Sequence, residues 1–215
     1  MKNKITTVFF GLDGVIVDTE TYNKKFWDQI AASNGLKIEN FSNVVEGMTL
    51  NSIIELYFPL SSLEERQSIR KASADLEQSI DYKSILVPGI LEFIQYLKEE
   101  DYNIGLVTSS SLNKVNIVLD QLDIKNAFDT IITAESIKKG KPDPMGYVLA
   151  KTNLIAESSE CIVFEDSFTG IKAATYAFMR VIGIETSLSE DSFKDYTYAS
   201  IPDFSDLERV KKLLD

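Results

Sequence analysis

The feature that most limits what this chain can fold into is a rhythm of short apolar runs alternating with helix-like segments. The runs span residues 6–10, 104–107, 130–132, 161–164 and 181–184, and each ends in polar or small residues. Runs of this length bounded by turn signals suit strands buried on both faces of a parallel sheet. Between them, apolar residues recur at helical spacing: Ile90, Phe93, Ile94 and Leu97 mark one face, and Val115, Ile117, Val118, Leu119 and Leu122 another. The alternation predicts an α/β fold, a Rossmann-like parallel sheet flanked by helices and joined by right-handed crossovers. A short run at 199–201 adds an expected edge strand before a last helix at 207–214.

Residues 19–84 break the rhythm and read as helical throughout. Tyr22, Phe26, Trp27 and Ile30 fall on one expected face, and Ile53, Ile54 and Leu56 suggest a second. The stretch 63–81 is charged with mixed signs, the pattern of a solvated helix face. The expected organisation is a Rossmann-like core of residues 1–18 and 85–215, with an α-helical cap of residues 19–84 inserted after the first strand. The α/β pattern resumes at Pro88-Gly89.

Composition narrows the chemistry. The chain has no histidine, which excludes Ser-His-Asp and Cys-His triads and histidine-ligated zinc. Its one cysteine, Cys161, permits no intrachain disulfide and, inside an apolar run, reads as a buried structural thiol. A net charge of −11 argues against nucleic acid and anionic membranes as partners. The start, Met1-Lys2-Asn3-Lys4, leads straight into the first apolar run. With no signal-peptide pattern or long apolar span, a cytoplasmic monomer is expected.

Ligands of open parallel sheets sit beyond the carboxyl ends of the strands, so the residues after each apolar run carry the functional reading. The first run is followed by Gly11, Asp13 and Asp18, and the second by Thr108-Ser109-Ser110-Ser111 just ahead of a helix start. Hydroxyls and free helical N–H groups both donate to phosphate oxygens. The third leads to Lys138-Lys139-Gly140-Lys141-Pro142, whose lysines can neutralise phosphate charge, and the fourth to the carboxylate pair Glu165-Asp166. Hard cations such as Mg²⁺ favour one or two carboxylates together with phosphate oxygens and water. Taken singly, these residues read equally as turn residues, helix caps and solubilising lysines.

In this order the four groups strongly resemble the motifs of the haloacid dehalogenase-like superfamily, in its helically capped β-phosphoglucomutase-like and phosphoglycolate-phosphatase-like branch. Gly11-Leu12-Asp13-Gly14-Val15 with Asp18-Thr19-Glu20 looks like the first motif, Thr108-Ser109-Ser110 the second, Lys141-Pro142 the third, and Glu165-Asp166-Ser167 with Gly170 the fourth. The resemblance implies Mg²⁺-dependent phosphoryl transfer on a small phosphorylated metabolite, expected to be a sugar phosphate. A strand-end aspartate attacks phosphorus, and a second aspartate two residues on acts as acid and base. Carried over by position, Asp13 is the acid–base and offers its backbone C=O to the metal. Asp166 and Glu165 hold the ion, and Thr108, Ser109 and Lys141 hold the phosphoryl group. Glu20, Gly47 and Thr49 face substrate at the cap.

The pattern fails at one position. The family nucleophile falls at Gly11, which has no side chain. Asp13 does not replace it, because two residues along a strand move a side chain by about 7 Å. The chain is therefore expected to be inactive or severely impaired as a phosphatase or phosphomutase. The alternative is a non-catalytic phospho-ligand-binding or regulatory protein, and a purely structural reading is that the glycine relieves crowding at the strand–turn junction. A haloacid dehalogenase would need the same missing carboxylate. Leu50 stands where β-phosphoglucomutases have an arginine for the distal phosphate, and Asn23 replaces a hinge histidine; both weaken the mutase reading. Phe178 stands where a helix-ending glycine is common, so the helix is expected to end differently here.

Overall fold

Among the described residues, six strands form one parallel sheet in the order β3-β2-β1-β4-β5-β6. They are β1 (Thr7–Phe10), β2 (Asn103–Val107), β3 (Thr130–Ile132), β4 (Cys161–Glu165), β5 (Arg180–Ile184) and β6 (Ala199–Ile201). The structure, a computed structural model, describes residues 4–215; the opening Met1-Lys2-Asn3, read above for the lack of a leader, lies outside the described residues. The expected edge strand is present and parallel to β5.

β1 is buried along its whole length and lies between β2 and β4, with Phe10 opposite both Leu106 and Phe164. Its side chains alternate between two cores. Val8 and Phe10 join Phe93, Phe164 and Phe204 on one side, while Phe9 joins Tyr147, Cys161 and Val163 on the other. Phe10 stacks on Phe164 at 5.5 Å between ring centroids, and Phe93 on Phe204 at 5.5 Å. Burial of each such ring contributes about 1.5–3 kcal/mol. Cys161 is buried, its thiol donates to the Glu157 carbonyl, and burial pushes its pKa up to about 12, so it is an inert core group.

Helices α5 (Ile90–Glu99), α6 (Leu112–Leu122), α7 (Met145–Asn153), α8 (Phe168–Tyr176) and α10 (Leu207–Lys212) accompany the sheet, with a short α9 (Glu190–Phe193) that the sequence pattern did not signal. Between β1 and β2 the chain forms α1 (Glu20–Ser33), α2 (Phe41–Val45), α3 (Leu50–Tyr57) and α4 (Leu63–Ser79) around a separate cluster of Ala31, Phe41, Ile53, Ile54, Phe58 and Ile69. Two residues expected on its inner faces are exposed instead. Leu56 lies about 200° round the helix from Ile54, and Tyr22 about 140° from Trp27. The charged run forms α4, opened by a reciprocal Ser62–Glu65 capping box and burying only Ile69. No helix among the described residues is long and apolar enough to cross a membrane.

The expectation at Phe178 is corrected. The turn after α8 keeps the left-handed conformation with Phe178 in it, at φ 60° and 85% exposed. Backbone bonds from Phe178 to Thr175 and from Met179 to Ala174 close the helix end, so the conformation serves those carbonyls and not the ring. A side chain in this region costs roughly 1–2 kcal/mol, and an exposed ring recovers little of it. Phe178→Gly is expected to raise unfolding stability in urea by about 1 kcal/mol; unchanged or lower stability would show that the turn is not strained.

Candidate active site

The sheet order reverses at β1, so a crevice opens at its carboxyl end between the ends of β2 and β4. The register levels these three strands and brings Gly11–Asp13, Thr108–Ser111 and Glu165-Asp166 to one edge. After β1, Gly11 donates to the Phe164 carbonyl, and a tight turn returns Ile16 N–H to Leu12. The buried Leu12 anchors that turn and Asp13 projects into the crevice, whose cavity is about 160 Å³.

Asp13 is held by three side chains. Thr19 and Ser110 donate hydroxyls to it, and the Lys114 ammonium lies 2.6 Å from Oδ1. Lys114 is in the first turn of α6 and only 6% exposed. Burial raises the Asp13 pKa, but the Lys114 charge and the three hydrogen bonds outweigh it and hold the carboxyl below its usual range. A carboxylate so committed is a poor proton donor.

A second pair lies across the crevice. Glu165 is buried at the end of β4, where its Oε1 receives the Lys141 ammonium and the Tyr147 hydroxyl, the latter at 2.6 Å. Lys141 Nζ also donates to the Val107 carbonyl at 3.3 Å. Asp166 accepts a hydrogen bond from Ser187; burial and the neighbouring Glu165 push its pKa well up, favouring the neutral carboxyl. Burial and Glu165 likewise push the Tyr147 phenol well up, keeping it protonated as a donor.

Thr108 is buried in the wall, where its Oγ1 accepts from Ser110 N–H. Ser109 turns toward the cap: its hydroxyl donates to the Gly47 carbonyl at 2.6 Å, and Thr169 donates to the neighbouring Glu46 carbonyl at 3.1 Å. Gly47 has φ 72°, and a Cβ there would lie 2.0 Å from Thr169 Oγ1, so a side chain would strain the backbone and displace the Thr169 hydroxyl. Glu20, Asn23 and Leu50 line the cavity from the cap side. Thr49 lies outside the lining; it is buried and caps α3 by accepting from Ser52 N–H.

A Cβ at Gly11 would lie 3.0 Å from Val15 Cγ2 and 3.4 Å from the Glu165 carboxylate. The glycine therefore does relieve crowding, and the absent carboxylate would stand beside another carboxylate. The donor set does not fit the family ion. Position 11 offers no side-chain ligand, Glu165 Oε1 is committed to Lys141 and Tyr147, and Asp166 Oδ2 accepts from Ser187. Among the described residues no group of three or more His, Cys, Asp or Glu side chains is arranged to hold a metal.

The sequence reading missed Lys114, Tyr147 and Ser187 as site groups, and it placed Thr19 and Ser110 within the motifs without giving them their role on Asp13. Lys114 carried a usable signal: it falls four residues before Val118, on the buried stripe of α6, where an unpaired ammonium is costly. Tyr147 and Ser187 carried none, because their roles depend on contacts between distant segments.

The fold and cleft define the class as a parallel α/β protein with a helical insertion after its first strand and a polar crevice at the carboxyl edge of the sheet. The family model described as haloacid dehalogenase-like hydrolase matches residues 8–184, and the chain belongs to this family. Hexitol phosphatase B of Escherichia coli K12 is 26% identical over 188 residues, 83% of each chain. Beta-phosphoglucomutase of Bacillus subtilis is 29% identical over 187 residues, 82% of each chain. The crystal structure of beta-phosphoglucomutase from Clostridium difficile superimposes with a TM-score of 0.82 at 26% identity, covering 98% of this chain and 97% of that one. Phosphatases of this family generally use Mg²⁺.

Glu46 is an electrostatic liability in the cap loop. Its Oε1 is buried without a hydrogen-bond partner, and burial, with Glu20 and then Glu165 nearby, raises its pKa from 4.5 to about 7. A raised carboxyl pKa means that the folded state binds more protons, so this group's contribution falls as pH rises from about 4.5 to about 7 and then stays constant. Glu46→Gln is expected to raise the unfolding free energy measured in urea at pH ~8 by on the order of 1 kcal/mol, and to change it little at pH ~4.5. An equal effect at both pH values would show that Glu46 does not titrate in this way.

Proposed function

We propose that this protein binds a small phosphate monoester of the sugar-phosphate class between cap and core, and that it turns such ligands over poorly or not at all. The observation carrying the second half is Gly11, where the family places its nucleophile. Without that carboxylate no aspartyl-phosphate can form there, and loss of a nucleophile typically costs several powers of ten in rate. Asp13, held ionised by Lys114, Thr19 and Ser110, is a poor acid for the leaving group.

The first half rests on the cleft and on the relatives. Thr108, Ser109, Ser110, Lys114 and Lys141 line one cavity, and hydroxyls and ammonium groups are the donors that phosphoryl oxygens require. Similar proteins are named hexitol phosphatase B and, in Thermotoga maritima at 27% identity, phosphorylated carbohydrates phosphatase. Leu50 stands on the cap side of the cavity, where Lys24 is the one cation of that side among the lining residues. The protein's own groups bind and orient the ester, and the cap loop at Gly47 and Glu46 excludes water. Mg²⁺ assistance belongs to a form in which the carboxylate at position 11 is restored.

The test is a gain of function. The unmodified chain, Gly11→Asp, and Gly11→Asp with Val15→Ala to clear the 3.0 Å contact are assayed with Mg²⁺ on a panel of hexose and hexitol phosphates. Phosphate release by either variant, at least about a hundredfold above the unmodified chain, is expected. Two folded, inactive variants would sink the disabled-phosphatase reading, and ordinary turnover by the unmodified chain would sink the claim about Gly11.

A further inference from the structure

Two lysines share the cleft where the family resemblance supplied one. Lys141 was expected as the phosphoryl ligand; Lys114 enters from α6 on the other side of the Thr108–Ser111 loop, and both are nearly buried, at 9% and 7% side-chain exposure. Each pairs with a different carboxylate, Lys141 with Glu165 and Lys114 with Asp13. Lys24 also lines the cavity, as do the carboxyl groups of Asp13, Glu20, Glu46, Glu77, Glu165 and Asp166, so an incoming anion must share the two buried ammonium groups with Asp13 and Glu165.

We propose that the cleft binds a phosphate-type anion without a metal ion, the Lys114 and Lys141 ammonium groups supplying the positive charge. The inference rests on the proposed phosphate-ester site and adds how its charge is neutralised. An ammonium carries three donors. Lys114 spends one on Asp13, and Lys141 spends two on Glu165 and the Val107 carbonyl, which leaves both able to donate to a ligand. The Thr108 hydroxyl, an acceptor toward Ser110 N–H, retains its own proton for an anionic oxygen. Lysine serves well here because a phosphate accepts point charges from any direction, whereas an octahedral Mg²⁺ needs fixed oxygen donors. The cavity of about 160 Å³ lies below the roughly 300–1,000 Å³ of ordinary ligand pockets, so with the cap closed it suits inorganic phosphate itself. A sugar ester requires the cap loop to lift at Gly47.

The experiment is calorimetric titration of the full chain with inorganic phosphate, once with EDTA and once with excess MgCl₂. Affinities within about twofold of each other are expected, and Lys114→Met should weaken binding at least about tenfold under both conditions. Binding that needs Mg²⁺ would overturn the metal-free site while leaving the phosphate-ester reading intact. Absence of binding under both conditions would overturn the phosphate site altogether. A folded Lys114→Met with unchanged affinity would reduce the Lys114–Asp13 pair to a structural contact and overturn the role given to Lys114. If circular dichroism shows that Lys114→Met does not fold, the comparison of EDTA with MgCl₂ on the unmodified chain still decides the proposal.

Discussion

The structure depends on the position of one short strand. β1 is four residues long, buried throughout, and bonded on both sides. Because Phe10 sits level with Leu106 and Phe164, the loops after three strands emerge together. A one-residue slip in register would exchange the two core faces of β1 and separate Asp13 from Ser110 and Lys114. The packing of Phe10, Phe93, Phe164 and Phe204 opposes such a slip, so apolar burial on one face sets the geometry of a polar cleft at its edge.

Charge pairing then governs what the cleft can do. Glu165, Asp166 and Lys114 are nearly buried, Asp13 partly so, and isolated buried charges are costly. Glu165 finds Lys141 and Tyr147, Asp13 finds Lys114 and two hydroxyls, and Asp166 resolves the conflict through a raised pKa and Ser187. Gly11 belongs to the same balance, since a carboxylate there would stand beside that of Glu165. The two buried ammonium groups are thus shared out between Asp13 and Glu165 within the cleft itself.

Much of this was legible in the residues. The alternation of buried runs and amphipathic helices gave the order of elements because burial patterns are local and periodic. The strand-end positions of Gly11, Thr108, Lys141 and Asp166 followed from the rule that parallel sheets present ligands at their carboxyl ends. Other features were not legible. Leu56 and Tyr22 were assigned to buried faces because apolar identity alone does not say which side of a cap helix meets its neighbours. Phe178 was expected to avoid the left-handed turn, but two backbone hydrogen bonds fixed that turn irrespective of the side chain.

The sequence by itself determined the family, the parallel α/β core and the absence of a carboxylate at position 11. These follow from residue identity and spacing along the chain. Only the tertiary structure decided that Lys114, 101 positions from Asp13, lies 2.6 Å from it, that Ser109 is bonded to the cap, and that Thr49 is turned out of the cavity. The physical reason is that ion pairing and the contacts of Gly47 and Glu46 with the sheet edge join segments distant in sequence. Such contacts depend on how strands align and helices pack, and a pattern read along one segment carries no record of them.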